Sequence, residues 1–302
     1  MSEREGSQRE WRATRAVRPE VRGPDRPRSG RVSEREGSQR EWREMTTLVA
    51  DGAHFTARGV RALVRQPYFL VITLVQPVIW LLLFGQLFTR VADIPGFSTG
   101  SYIAFLTPGI VVMTALFSSG WAGMGFIIDM ERGVLNRFLV TPAPRGSLIA
   151  GNLGYLALIS AVQSLIIISL GLLAGARFPG GPASLLALVA CAILLAAAFG
   201  SFSNALALLL RKQESVIAVA NLLVLPLSFL SSTLMPENLL PGWMHDVARF
   251  NPVDWAVTAG REALQPDVDW GLVLSHAGWL VLLALGCGWL STRAFRSYQR
   301  SV

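Results

Sequence analysis

DMERGVLNRFLVTPAPR, residues 129–145, is a polar island between two apolar runs, at about 102–128 and 148–174. Each run exceeds the roughly 20 apolar residues that a helix needs to cross a bilayer. A few basic residues would be enough to turn the chain at a membrane surface. This connection instead has room for about two turns of helix before Pro142 and Pro144 stop it. Met130, Val134 and Phe138 fall at i, i+4 and i+8, an apolar ridge flanked by Glu131, Arg132 and Arg137. Such a pattern suits a small helix that docks on another protein at the membrane surface.

Working outward, six apolar runs appear, at about 68–88, 102–128, 148–174, 183–210, 216–235 and 271–291. Each is long enough to span, so the expected fold is an all-α integral membrane protein with six transmembrane helices. Pro77 and the Pro108–Gly109 pair are the expected kink points. Composition agrees: 52% of residues are hydrophobic and 16% charged, whereas a soluble domain carries roughly a quarter charged residues.

Orientation follows from the arginines and the one lysine in the connections. With the N-terminus inside, one side collects Arg58, Arg61, Arg65, Arg132, Arg137, Arg145, Arg211, Lys212, Arg293, Arg296 and Arg300. The other side holds only Arg90, Arg177, Arg249 and Arg261. Both termini are therefore expected in the cytoplasm. Before the first span, residues 48–66 separate an apolar stripe from Arg58, Arg61 and Arg65, the pattern of a helix lying in the membrane interface and touching lipid. Pro67 ends it.

The outer segment 236–270 is too structured for a plain loop. Leu240, Trp243, Met244 and Val247 form one short stripe, with Pro241 in its first turn. Asn251–Pro252 breaks it, and Val253, Ala256, Val257, Gly260, Ala263 and Leu264 form a second. Helices of about a dozen residues reach roughly 18 Å, too short to cross. They are expected as re-entrant or interfacial helices on the outer side, where Glu237, Asp246, Asp254, Glu262, Asp267 and Asp269 outnumber the arginines.

Residues 1–44 carry 12 arginines and 9 acidic residues with few apolar ones, and residues 2–12 recur unchanged at 33–43. Such a tail cannot bury enough surface to order itself, so it is expected to be disordered. Its duplication suggests an upstream start, with Met45 as the initiator of the domain 45–302; the other reading is a basic arm on anionic lipid. Net charge is +7, but no basic patch interleaved with aromatics lies outside the tail, so nucleic acid is not an expected partner.

The chemistry is as informative for what it lacks. A phosphate-binding loop needs a lysine after glycine; Lys212, the single lysine, sits between Arg211 and Gln213. ATP hydrolysis is therefore assigned to another chain. His54, His245 and His276 are scattered without metal-ligand spacing, and Cys191 and Cys287 lie inside apolar runs, so no metal site is expected. Polar groups within the spans are mild: Gln76, Gln163, Ser203, Asn204 and Asn221. Asn204, Asn221 and Gln163 are candidates for lining a pathway; the alternative is helix packing through hydrogen bonds worth about 0.6 kcal/mol each. Gly120, Gly123 and Gly125, with Ser118 and Ser119, read as a face for close helix packing.

At this point the sequence resembles the membrane subunits of type 2 ABC exporters, closest to the daunorubicin/doxorubicin-resistance permease branch. The resemblance is carried by YIAFLTPG at 102–109, ERGVLNRF at 131–138, TPAPR at 141–145, LPLSFLSS at 225–232, Met235–Pro236, LPGW at 240–243, Asn251–Pro252 and Arg261. It covers about 48–292, and the order of the motifs on six spans is more specific than any one of them.

The resemblance implies a half-transporter in the bacterial inner (plasma) membrane. Two copies form the pathway and pair with two separate ATPase subunits, which hold the ATP and Mg; this chain binds no cofactor. It further implies that the 131–138 helix is the coupling helix, with Glu131, Arg132 and Arg137 pairing charges and Leu135 and Phe138 entering an apolar groove of the ATPase. In the same scheme 48–66 is the connecting helix and Leu240, Trp243, Asn251, Pro252 and Arg261 belong to the extracellular helices. The expected function is export of an amphiphilic drug-like or lipid-like substrate. Export of a lipid-linked glycan or other polymer is the first alternative, and a non-transporting scaffold or sensor the second. A neighbouring gene with a Walker A and an LSGGQ-like motif separates exporter from scaffold.

Overall fold

The computed structural model describes residues 67–90, 101–132 and 146–299. Every regular element among them is a helix. The first is α1 (Pro67–Leu87), followed by α2 (Tyr102–Gly120) and α3 (Gly123–Glu131). Next come α4 (Gly146–Leu173), α5 (Gly181–Leu210) and α6 (Gln213–Phe229). A 3₁₀ turn (Glu237–Leu239), α7 (Gly242–Ala248), α8 (Pro252–Ala263) and α9 (Trp270–Gln299) complete the described chain.

α2 is the hub. It is apolar around its whole circumference, and 16 of its 19 residues are buried, as a helix without a polar face must be. α1, α4, α5, α6 and α8 all pack on it. Thr107 and Thr114 reach back 2.7 Å to the carbonyls of Ile103 and Ile110 and so bury no unpaired hydroxyl. α5 is the second organiser, packing on α2, α4, α8 and α9. Gly175 and Gly181 adopt positive φ (97° and 79°) in the turn that leads into it, a conformation that suits glycine.

Five helical segments are long and apolar enough to cross a membrane: Leu70–Leu87, Tyr102–Glu131, Ile149–Leu173, Gly181–Leu210 and Trp270–Ser297. The run expected as a span over 216–235 differs. Its helix, α6, has 17 residues, about 25 Å of rise, and stops at Phe229 shortly after Pro226. Leu230–Met235 continue without helix.

Pro77 and Pro108 both sit within continuous helices. The second span instead breaks at Trp121–Ala122, between α2 and α3. There the Ser203 hydroxyl of α5 donates to the Gly120 carbonyl (2.6 Å) and accepts from the Gly123 N–H (3.0 Å). A side chain that enters the backbone ladder takes the place of helical bonds at a break. A side chain on Gly123 would collide with the Ser203 carbonyl. Gly120 and Gly123 thus lie at this helix crossing, whereas Gly125 is exposed, with nothing within 4 Å of where its Cβ would be.

The helices expected on the outer side also depart in part from expectation. α8 buries Val253, Ala256, Val257, Gly260 and Ala263, and Leu264 just beyond it is buried too, as the spacing required. α7 has only 7 residues and buries only Ala248. Its expected stripe is packed only in part: Leu240 and Met244 are half-buried, whereas Trp243 is 61% exposed and Val247 is exposed too. Pro241, at the N-cap, and Asn251–Pro252 leave too little chain between them for a longer helix.

Candidate functional site

The polar side chains gather at three depths. At one end of the bundle, an apolar cluster that includes Phe126, Ile127, Ile149, Leu208, Val216 and Phe295 draws together α3, α4, α5, α6 and α9. Glu131, the last residue of α3, sits exposed at its edge. The Gln213 amide, at the first position of α6, donates to both Glu131 carboxylate oxygens at 3.1 Å. Arg132 caps α3 through its backbone, and its side chain is exposed. Leu135, Arg137 and Phe138 lie outside the described residues, as do Arg58, Arg61 and Arg65.

In the middle, Asn204 is fully buried, and its carbonyl oxygen accepts from the Asn152 amide at 3.0 Å. Gln163, 1% exposed, donates to the Thr73 hydroxyl at 3.2 Å. Both bonds join different helices, and each amide keeps one buried atom with no partner in the structure, Gln163 Oε1 and Asn204 Nδ2. Asn221 is half-buried on α6.

The densest constellation is at the opposite end, around the non-helical stretch that follows α6. Breaking a helix inside a membrane protein frees backbone groups that neighbouring side chains must satisfy. Asn251 meets this need twice. Its amide nitrogen donates to the carbonyls of Leu227 (2.7 Å) and Leu230 (2.9 Å), and its oxygen accepts from the Val253 N–H to cap α8. Asp254, buried in the first turn of α8, accepts from the Ser232 N–H at 2.7 Å.

Arg261, two turns further on, spreads its fork. Nη1 donates to the Ser232 carbonyl at 2.7 Å, Nη2 to the Thr233 carbonyl at 2.8 Å and Nε to the Phe105 carbonyl at 3.3 Å. Its guanidinium carbon lies 3.6 Å from the centroid of the Phe105 ring. Burial pulls the Arg261 pKa down to about 9, while the charges of Asp254, Tyr102 and Glu237 oppose the fall. The group therefore remains a cation at neutral pH. The Phe105 carbonyl adjoins that of Ala104, which Pro108 leaves without its helical donor. Tyr102 adds a hydroxyl bond to the Leu234 carbonyl at 3.0 Å.

α8 thus grips the segment 230–234 against α2, whose Gly109 would place a Cβ 2.6 Å from the Thr233 carbonyl. Beside this clamp an open cavity of about 1090 Å³ is bordered by Phe105, Arg177, Phe178, Glu237, Arg261 and Glu262. Of the outer residues singled out by sequence, Asn251, Pro252 and Arg261 meet here; Leu240 is half-buried and Trp243 is exposed. Ser203 reads in the sequence only as a mild polar group of a span, Asp254 only as one of the outer acidic residues and Gln213 only as the neighbour of Lys212, since a lone hydroxyl, carboxylate or amide carries no pattern that points to its partner.

The sequence matches the ABC-2 type transporter family over residues 53–264. It is 32% identical to the ycf38 transport permease of Cyanophora paradoxa, over 72% of this chain and 71% of that protein. It is 29% identical to a daunorubicin resistance ABC transporter permease protein of Streptomyces coeruleorubidus, over 74% of this chain and 79% of that protein. Nodulation protein J of Rhizobium meliloti shares 28% identity, over 65% of this chain and 74% of that protein.

Proposed function

The chain belongs to the ABC-2 type transporter family as a membrane permease of an ABC exporter, and from that premise we propose that two copies form one transport pathway driven by two separate ATPase subunits. ATP and Mg bind on those subunits. The substrate is an amphiphile, drug-like or lipid-like, that leaves the cytoplasm or the inner leaflet; the similarity to a daunorubicin resistance permease supports this class. The membrane is the bacterial inner membrane, with both termini cytoplasmic.

The observation that carries the mechanism is that α6 is tied at both ends. Its first residue holds the Glu131 carboxylate at the end of α3, and the segment that follows it is gripped by Asn251, Asp254 and Arg261 of α8. When ATP draws the ATPase subunits together, the connection that begins at Glu131 moves with them. α3 passes that displacement to α6 through Gln213, and α6 delivers it to the outer clamp. A rigid helix about 25 Å long is a sufficient lever.

Co-expression with the ATPase and reconstitution into proteoliposomes tests this reading. ATP-driven movement of an anthracycline is expected in wild type. It is expected to fall at least tenfold in Glu131→Lys and Arg132→Glu variants that still assemble with the ATPase. Normal export by those assembled variants would refute the coupling role.

A further inference from the structure

We propose that the exposed face of α9 is a binding site for one anionic phospholipid, with its phosphate held by Arg293 and Arg296. The inference rests on the chain being embedded in a membrane and is independent of the transport reading. Leu282, Leu285, Trp289, Arg293 and Arg296 succeed one another at spacings of three and four residues, so they form one line along the helix. Among the described residues nothing covers it: Leu282, Leu285 and Trp289 are 59%, 66% and 61% exposed, and both arginines are exposed.

From Leu282 to Arg293 the helix rises about 16 Å, close to one leaflet of a hydrocarbon core about 30 Å thick. The apolar part of the line therefore matches acyl chains and its basic end the headgroup layer. Between them stands Trp289, an amphipathic ring at the depth where such rings settle. Arg293 lies over it, 5.3 Å from guanidinium carbon to ring centroid. Neither arginine has a carboxylate partner among the described residues.

A cavity of about 380 Å³ opens between Trp289, Thr292, Arg293, Arg296 and Ser297. Two guanidinium groups one turn apart, with a hydroxyl beside them, are donors suited to a phosphate. A bias of positive charge toward one side of the membrane requires cations there, but not their alignment above a tryptophan and a strip of leucines. That continuity selects a phospholipid over a free anion.

Native mass spectrometry of the whole transporter complex provides the test, using nanodiscs of phosphatidylcholine with and without phosphatidylglycerol. Phosphatidylglycerol adducts are expected to persist on wild type. One cation near an anionic surface is worth about a fivefold change in binding, so the Arg293→Gln/Arg296→Gln variant is expected to bind about 25-fold more weakly. A Trp289→Ala variant, which keeps both charges, is expected to weaken binding as well. Undiminished adducts on the double variant would overturn the site. Displacement of the lipid by millimolar inorganic phosphate would overturn it too, because the occupant would then be a free anion. Disulfide pairing of two copies through Leu285→Cys, in a Cys191→Ser/Cys287→Ser background, would show a second copy on this face and equally refute the proposal.

Discussion

Replacing Arg261 by lysine keeps the charge and removes the fork. In the structure one guanidinium serves the carbonyls of Ser232 and Thr233 at 2.7 and 2.8 Å while its carbon sits 3.6 Å from the Phe105 centroid. A lysine ammonium has neither the planar spread to reach both carbonyls nor a face to stack. One buried carbonyl left unpaired costs about 1–3 kcal/mol, and loss of the stack about 0.5–2 kcal/mol. The expected penalty is therefore about 1.5–5 kcal/mol, borne by the segment 230–234, whose one helical bond is from the Leu230 N–H to the Pro226 carbonyl. At about 1.4 kcal/mol per factor of ten, local opening of that segment rises roughly 10- to 4000-fold. Hydrogen-exchange mass spectrometry of peptides across 228–236 reads this directly, with peptides from the middle of α5 as an internal control. If exchange at 230–234 in the lysine variant stays within about threefold of wild type, the clamp does not hold the segment and the outer half of the proposed lever is wrong.

Asn251→Asp separates two roles of one side chain: the N-cap oxygen survives, but the donor to the Leu227 and Leu230 carbonyls is lost and a charge faces them, so thermal stability in detergent should fall by about 2–4 kcal/mol, more than a capping defect of about 1 kcal/mol explains. Ser203→Ala leaves the Gly120 carbonyl and the Gly123 N–H facing each other without a bridge. A loss of about 2 kcal/mol or more is expected, measured as a lower melting temperature. Gly123→Ala should be worse, because the methyl group meets the Ser203 carbonyl; equal stability of the two variants would argue against close packing at the break.

These outcomes bear on one physical picture. The Glu131–Gln213 contact is exposed, so it adds little to stability, at most about 1 kcal/mol, and its weakness suits a joint that must move. The clamp at the other end of α6 is the opposite, a set of buried and part-buried side-chain bonds to backbone groups.

Much of this protein was legible in the residues alone, because the bilayer is a demanding solvent. Long apolar runs without charges can only be spanning or buried helices, and the ABC-2 family is recognisable from motif order along them. The amphipathic spacing of α8 was legible for the same reason: one face of a short helix must be buried. The sequence could not show that the second span breaks at Trp121–Ala122 while the helix runs unbroken through Pro108. A proline within a helix is tolerated when neighbours satisfy the freed carbonyl, whereas the break needed a serine eighty residues away to bridge it. Nor could the spacing show that the run 216–235 is helical only to Phe229, since its remaining carbonyls are satisfied by Asn251 and Arg261 of a different helix. The periodicity of an apolar run records which face is buried. Which backbone groups stay paired depends on side chains distant in sequence, and only the tertiary structure brings those together.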